Sequence, residues 1–282
     1  MLASANNLLL HALPQNRRTS PFLFNLCNSA VWAVLFFFPA AAEDVTLSDV
    51  LWGMCYGAVL ALFFLCKTQA MMLGPVSVTT FIGCTSLLLS TAFGVLYFRE
   101  TVSAGQIVGI VLLMTGLFLS VFQKEEPTSS AAAKPNKAWG VWCFGFFLSG
   151  GATGIVFKLH QNSARRENID SMMLCAAVTA VGLLGLLHLL TRKRTSAPRG
   201  LPSKKTVLLA VLCGVVSCGY NRLNVMLSGE LPSMVFFPAF NGSVILLASL
   251  LASAFFGERL RPAQKAGLFI GICALLFIAG VF

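Results

Sequence analysis

Two basic residues stand where a membrane tolerates them least. Lys67 and Arg222 lie about three-quarters of the way along the third and eighth hydrophobic segments of the chain. A cation inside a lipid-spanning helix is costly, and it turns toward a cavity or a partner. Each has polar company: Lys67 is followed by Thr68 and Gln69, and Arg222 is flanked by Asn221 and Asn224. Facing a central cavity, the two clusters would attract a carboxylate or phosphate on a solute. Reaching to the nearby interface instead, they would anchor helix ends, as long basic side chains do. Further candidates for solute contact are Asn25 and Asn28, three apart on one face of segment two, with Thr79, Thr80, Thr153, Asn241 and Ser243. An amide in apolar surroundings needs partners, so these groups point inward, either to a solute or to another helix.

Acids are placed differently. All ten carboxylates, among them Asp49, Glu100, Asp170 and Glu258, fall in loops or at helix ends. A mid-helix carboxylate that alternates between a proton and a cation is therefore missing, which argues against proton exchange for cationic drugs. Glu100 and Glu258 are placed to cap the helix that follows each of them. His160 near a segment end and His188 inside segment seven could relay protons, but a solvated or hydrogen-bonded histidine is the plainer reading. The nine cysteines all lie in apolar segments without CxxC or Cys/His spacing, so they read as small packing residues; no metal site or disulfide framework is expected. No nucleotide-binding or hydrolase motif occurs, and no cofactor is expected. The chain carries no engine and is not read as an enzyme.

The elements that hold these residues are long and apolar. The 282 residues are 57% hydrophobic and 11% charged, with mean hydropathy +0.81. Stretches of about 20 apolar residues read as spanning helices. Ten segments are expected, at 1–13, 21–40, 48–70, 75–97, 102–122, 138–160, 169–190, 206–227, 232–255 and 262–282. Pro21, Pro75, Pro232 and Pro262 sit at or beside helix starts, where a missing N–H costs nothing. Pro238, inside segment nine, would bend or break its helix and free carbonyls. Segment one is too short to cross as written, so either a start is missing or it is a half-helix.

Segments four and five return as segments nine and ten. Phe98-Arg99-Glu100, Gln106 and Gly109 recur as Phe256-Gly257-Glu258, Gln264 and Gly267, each 158 positions on. The domains expected are a first five-helix repeat at 1–122, a flexible linker at 123–137 and a second repeat at 138–282. Five is odd, so the second copy enters the bilayer inverted, which is how many secondary transporters build a midplane site. Gly105 with Gly109, and Gly267 with Gly271, form small-residue faces for close helix packing. They would join helices within one chain or two molecules of a homodimer, and the sequence leaves both open.

The net charge of +10 does not call for nucleic acid, because the basic residues are gathered in loops. Loops after segments one, three, five, seven and nine hold 15 Lys and Arg against 5 elsewhere (Arg99, Lys158, Arg165, Arg166 and Arg222). The positive-inside rule puts the first set in the cytoplasm and both termini outside.

Phe98-Arg99-Glu100, Phe256-Gly257-Glu258-Arg259-Leu260, Gly74-Pro75-Val76-Ser77 and Leu231-Pro232-Ser233, with Phe236-Phe237-Pro238 and Asn241-Gly242 behind, are similar to the helix ends of EamA-like members of the drug/metabolite transporter superfamily. The resemblance covers both halves. It implies a ten-helix secondary transporter with a cavity between inverted halves, and cytoplasmic termini, against the charge count. The chain departs from the family's pattern in its stub of a first helix, and in Asn28 where members often carry an Arg.

The expectation is an all-α membrane protein of ten spanning helices, the first truncated, in two inverted repeats. It would sit in a bacterial inner membrane, with the lipid bilayer and a small-molecule solute as partners. It would move a small polar anionic or zwitterionic metabolite outward by alternating access. Multidrug efflux is the alternative within transport, and a receptor or structural membrane protein the alternative outside it.

Overall fold

A computed structural model describes residues 21–74, 76–121, 137–192, 204–256 and 262–280. The expected first segment and most of the 123–137 linker lie outside the described residues. The described chain is helical: α1 (Pro21–Ala40), α2 (Leu47–Leu73), α3 (Val76–Phe98), α4 (Ala104–Val121), α5 (Lys137–Gln161), α6 (Ile169–Arg192), α7 (Lys204–Glu230), α8 (Ser233–Phe256) and α9 (Pro262–Ile278). These follow segments two to ten within a few residues. Five stretches are long and apolar enough to cross a membrane: Leu47–Met71, Val78–Phe98, Ala138–Gln161, Ile169–Leu190 and Ala210–Glu230. Large apolar side chains such as Phe38, Leu96, Val141, Val178 and Phe269 stand exposed, as the surface of a protein solvated by lipid requires.

Local chemistry sets the helix ends. Thr46 opens α2 by donating its N–H and hydroxyl to Asp49 Oδ2, at 2.9 and 2.8 Å. Ser103 and Gln106 form a reciprocal capping box at α4: the Ser103 N–H donates to Gln106 Oε1 at 3.0 Å, and the Gln106 N–H to Ser103 Oγ at 3.2 Å. Arg99 ends α3 in the left-handed region, φ 53°. Its repeat equivalent is Gly257, the residue type that pays least for that conformation. Helix α8 runs through Pro238 without a break, so of the bend or break expected there the break is absent.

The chain forms two compact units. One takes the described residues within Met1–Leu65 and Leu159–Leu227; the other takes those within Cys66–Lys158 and Ser228–Phe282. In the first unit α1 packs most extensively on α6, and in the second α4 packs on α9 and α3 on α8. Each of these pairs joins a helix to its own counterpart in the sequence repeat. In two of the pairs the directions are opposed. A Cβ at Gly109 would meet the Ala274 carbonyl at 3.0 Å, and one at Gly116 would meet the Gly267 carbonyl at 2.7 Å, so α4 and α9 run antiparallel. Likewise Glu43, just past the end of α1, reaches the start of α6 at Ser171, while Leu26 meets Gly185 farther along. The core of the α4–α9 pair is Leu113, Leu117, Ala274 and Ile278. In the first unit Ala61 and Leu184 are packed by Leu26, Phe64 and Leu65.

Candidate functional site

In the first unit, period-3.6 spacing on α2 puts Asp49, Trp52, Gly53 and Tyr56 on one face. That face is buried: Asp49 and Tyr56 are fully covered. A Cβ at Gly53 would meet the Met172 carbonyl at 2.7 Å, so α2 and α6 touch through backbone. Deeper along the face, the Tyr56 hydroxyl donates to Asn221 Oδ1 at 3.2 Å, and Asn221 Nδ2 donates to the Ser217 carbonyl at 2.8 Å. Ser217 is a second junction. Its hydroxyl receives Trp32 Nε1 at 2.7 Å and donates to Asn28 Oδ1 at 3.0 Å. Asn28 and Asn221 are therefore engaged in ties among α1, α2 and α7. Asn25 and Asn224, one turn away from each, are half-buried.

Arg222 follows Asn221 and points a different way, because adjacent helix positions diverge by about 100°. Its Nε donates to Asp170 Oδ1 at 2.7 Å and its Nη2 to Oδ2 at 2.9 Å, the two-pronged geometry of an arginine–carboxylate pair. Asp170 is buried at the start of α6, while the Arg222 side chain is 47% exposed. The charge that sequence alone offers to a solute thus already holds a carboxylate. Nearby, Asp49 Oδ2 accepts from Arg165 at 3.2 Å and Asn168 at 3.3 Å, and both of these donate to the Asp44 carbonyl. Glu43 accepts the N–H groups of Asp170 and Ser171 at 3.4 and 2.8 Å. A carboxylate at a helix N-terminus meets unpaired donors and a positive dipole end.

The second unit holds Lys67, Gln69, Thr80, Thr153 and Asn241. Lys67 and Gln69 are half-buried in the last two turns of α2, and Thr80 is half-buried in α3. Thr79 beside it is fully buried and accepts Trp139 Nε1 at 3.1 Å. Thr153 donates to the Ser149 carbonyl at 3.1 Å and Asn241 Nδ2 to the Phe237 carbonyl at 2.9 Å, each within its own helix.

Sequence reasoning passed over a buried ion pair here. Lys158 Nζ lies 3.2 Å from Glu100 Oε1, with both side chains largely covered. It also donates to the Leu231 carbonyl at 2.8 Å and sits over the Phe98 ring. Glu100 in turn accepts the Ser233 N–H at 2.6 Å and hydroxyl at 3.0 Å. It does cap a helix, but α8 rather than the expected α4, whose first turn Ser103 and Gln106 already close. The signal was in the sequence: Ser233 follows a Pro at a helix start, and Gly94 leaves the space that Ser233 fills.

Residues 10–122 match the family model of the EamA-like transporter family. The matched family is part of the drug/metabolite transporter superfamily. The motifs quoted from the first half fall inside it. No curated protein matches the chain. One solved structure, titled only "Crystal structure of protein", is similar over 99% of this chain and 94% of its own, with a TM-score of 0.73 and 14% identity. That likeness is one of fold alone, and it spans both halves. The EamA-like match and the apolar helices together mark a membrane protein of transporter type.

Proposed function

We propose that the chain is a secondary transporter of the bacterial inner membrane. It moves a small polar anionic or zwitterionic metabolite outward by alternating access, through ten spanning helices in two inverted five-helix repeats. The antiparallel packing of α1 on α6 and of α4 on α9, each a pair of repeat counterparts, supports inversion: a two-fold axis in the membrane plane relates helices in this way.

One observation carries the solute class. Lys67 is a half-buried cation in the stretch Leu47–Met71, which is long and apolar enough to span. A cation within a spanning stretch turns toward a cavity or a partner, and a solute carboxylate or phosphate is the anion proposed to meet it. Lys67 is assigned the anion contact, with Gln69, Thr80, Thr153 and Asn241 as hydrogen-bonding positions. Arg222, held by Asp170, is assigned a lesser part than its symmetry with Lys67 gave it, and Asn25, Asn28, Asn221 and Asn224 line or brace the first unit.

The test is thermal stabilisation of purified protein by metabolites of each charge class, since a ligand that binds only the folded state raises the melting temperature. Anionic or zwitterionic compounds are expected to stabilise the wild type and to have no effect on Lys67→Met. Stabilisation by lipophilic cations, unchanged in Lys67→Met, would establish multidrug efflux instead.

A further inference from the structure

Glu100 stands where three helix ends of the second unit meet. Its carboxylate accepts the Ser233 N–H at 2.6 Å, the Ser233 hydroxyl at 3.0 Å and the Met234 N–H at 3.4 Å, all at the start of α8. Lys158, in the last turn of α5, brings Nζ to 3.2 Å from Glu100 Oε1. The same ammonium donates to the Leu231 carbonyl at 2.8 Å, just before α8, and lies 5.8 Å from the centre of the Phe98 ring at the end of α3. Gly94 lets Ser233 seat against α3, because a Cβ there would overlap the Ser233 side chain. One carboxylate and one ammonium thus tie the ends of α3 and α5 to the start of α8.

Burial decides what this tie is worth. The Lys158 and Glu100 side chains are only 7% and 14% exposed. An ion pair taken out of water loses in desolvation much of what it gains in attraction. When the helix ends part and water enters, both charges and the first N–H groups of α8 are hydrated instead. The closed and open arrangements can then be close in free energy, as a part that opens and closes requires.

Position gives the tie a task. Glu100 belongs to the first of the expected repeats, Lys158 and Ser233 to the second, and α3 and α8 are counterparts. Alternating access moves one repeat against the other, so a bond between them at one end is a bond the motion must break. The three tied helices are also those that carry Thr80, Thr153 and Asn241. Thr153 precedes Lys158 by five positions and Asn241 follows Ser233 by eight, roughly 8 and 12 Å along their helices.

We propose that Glu100, Lys158 and Ser233 are the latch of a gate. Made, as in this structure, it closes the end of α3, α5 and α8 to the solute; broken, it opens that end. The latch rests on the transporter reading above, but not on the solute's charge.

Two cysteine reporters test it without any solute. Met234→Cys lies under the latch, where Met234 is buried. Thr80→Cys lies near the other end of α3, where Thr80 is half-buried. Each is placed in the full chain in lipid nanodiscs and treated with a soluble maleimide. Mass spectrometry of each cysteine's own peptide separates the reporters from the nine native cysteines. Adding Glu100→Gln or Lys158→Met is expected to make Met234→Cys react about fivefold faster and Thr80→Cys about twofold slower, because opening one end of an alternating-access protein closes the other. Lys158→Met leaves Glu100 on the start of α8, so it carries the test where Glu100→Gln does not fold; melting curves establish folding. A faster rate at Met234→Cys with an unchanged or faster rate at Thr80→Cys would make the pair a fixed staple and overturn the proposal. So would an unchanged rate at Met234→Cys in the folded variants. Reciprocal rates without any stabilising anionic or zwitterionic metabolite would keep the latch and sink the solute class. A stabilising metabolite without reciprocal rates would do the converse.

Discussion

Arg222 and Asp170 show how a single residue's meaning depends on its partner. Read alone, an arginine inside a hydrophobic segment invites a solute anion; in the fold, its two nitrogens grip a buried aspartate at 2.7 and 2.9 Å. Removing the arginine leaves Asp170 covered and uncompensated. Arg222→Met is expected to lower unfolding stability by about 1–3 kcal/mol, the usual range for a stranded buried polar partner. Adding Asp170→Leu to the same protein is expected to recover part of the loss, since both charges are then gone. Thermal melts of the two singles and the double measure the coupling. At Arg99 the backbone is the issue: φ 53° places an L residue in the left-handed region at a cost of about 1–2 kcal/mol. Arg99→Gly, which copies Gly257 of the second repeat, is expected to raise stability by about 1 kcal/mol, read by the same melts. The second repeat carries Gly at the equivalent position, so the tolerance for Gly here was legible from sequence. The Asp170 partnership was not, because 52 positions separate the two residues.

At the scale of elements, glycine does different work at different places. A side chain at Gly116 would run into backbone, the Gly267 carbonyl at 2.7 Å and the Gly271 nitrogen at 3.0 Å. Backbone cannot step aside as a side chain can, so Gly116→Val is expected to separate α4 from α9 and cost several kcal/mol. Gly182 on α6 has nothing near its missing Cβ. Gly182→Ala is expected to be neutral or to stabilise by up to about 1 kcal/mol through helix propensity. Yield of monodisperse protein and melting temperature distinguish the two substitutions. Gly109, Gly267 and Gly271 belong to the same α4–α9 contact. At these three glycines, the small-residue faces that sequence offered to either a neighbouring helix or a second molecule meet a neighbouring helix of the same chain.

At the scale of the whole molecule, orientation in the bilayer follows from the distribution of charge. The loops that hold 15 of the 20 Lys and Arg are placed in the cytoplasm by the positive-inside rule. The C-terminus is then expected outside. A C-terminal alkaline phosphatase fusion should be active and a fluorescent-protein fusion dark; the reverse pattern would place the termini in the cytoplasm, as the family resemblance implies. The loop between α1 and α2, with Glu43 and Asp44 and no basic residue, is expected on the same outer side as the C-terminus.

The sequence by itself determined the helices, their limits within a few residues, the membrane setting and the duplication. Those features are written in runs of apolar residues, prolines at helix starts and a 158-residue echo, all of which are local or periodic. Tertiary structure alone decided which polar groups meet. Glu100 was legible as a cap, but its helix starts 133 positions away at Ser233. Asp49 was legible as a residue at a helix start, yet the fold buried it against Arg165 and Asn168. In lipid the apolar pattern says only that a helix spans. Hydrogen bonds and close glycine contacts choose its neighbours, and these are short-range interactions between residues far apart in the chain.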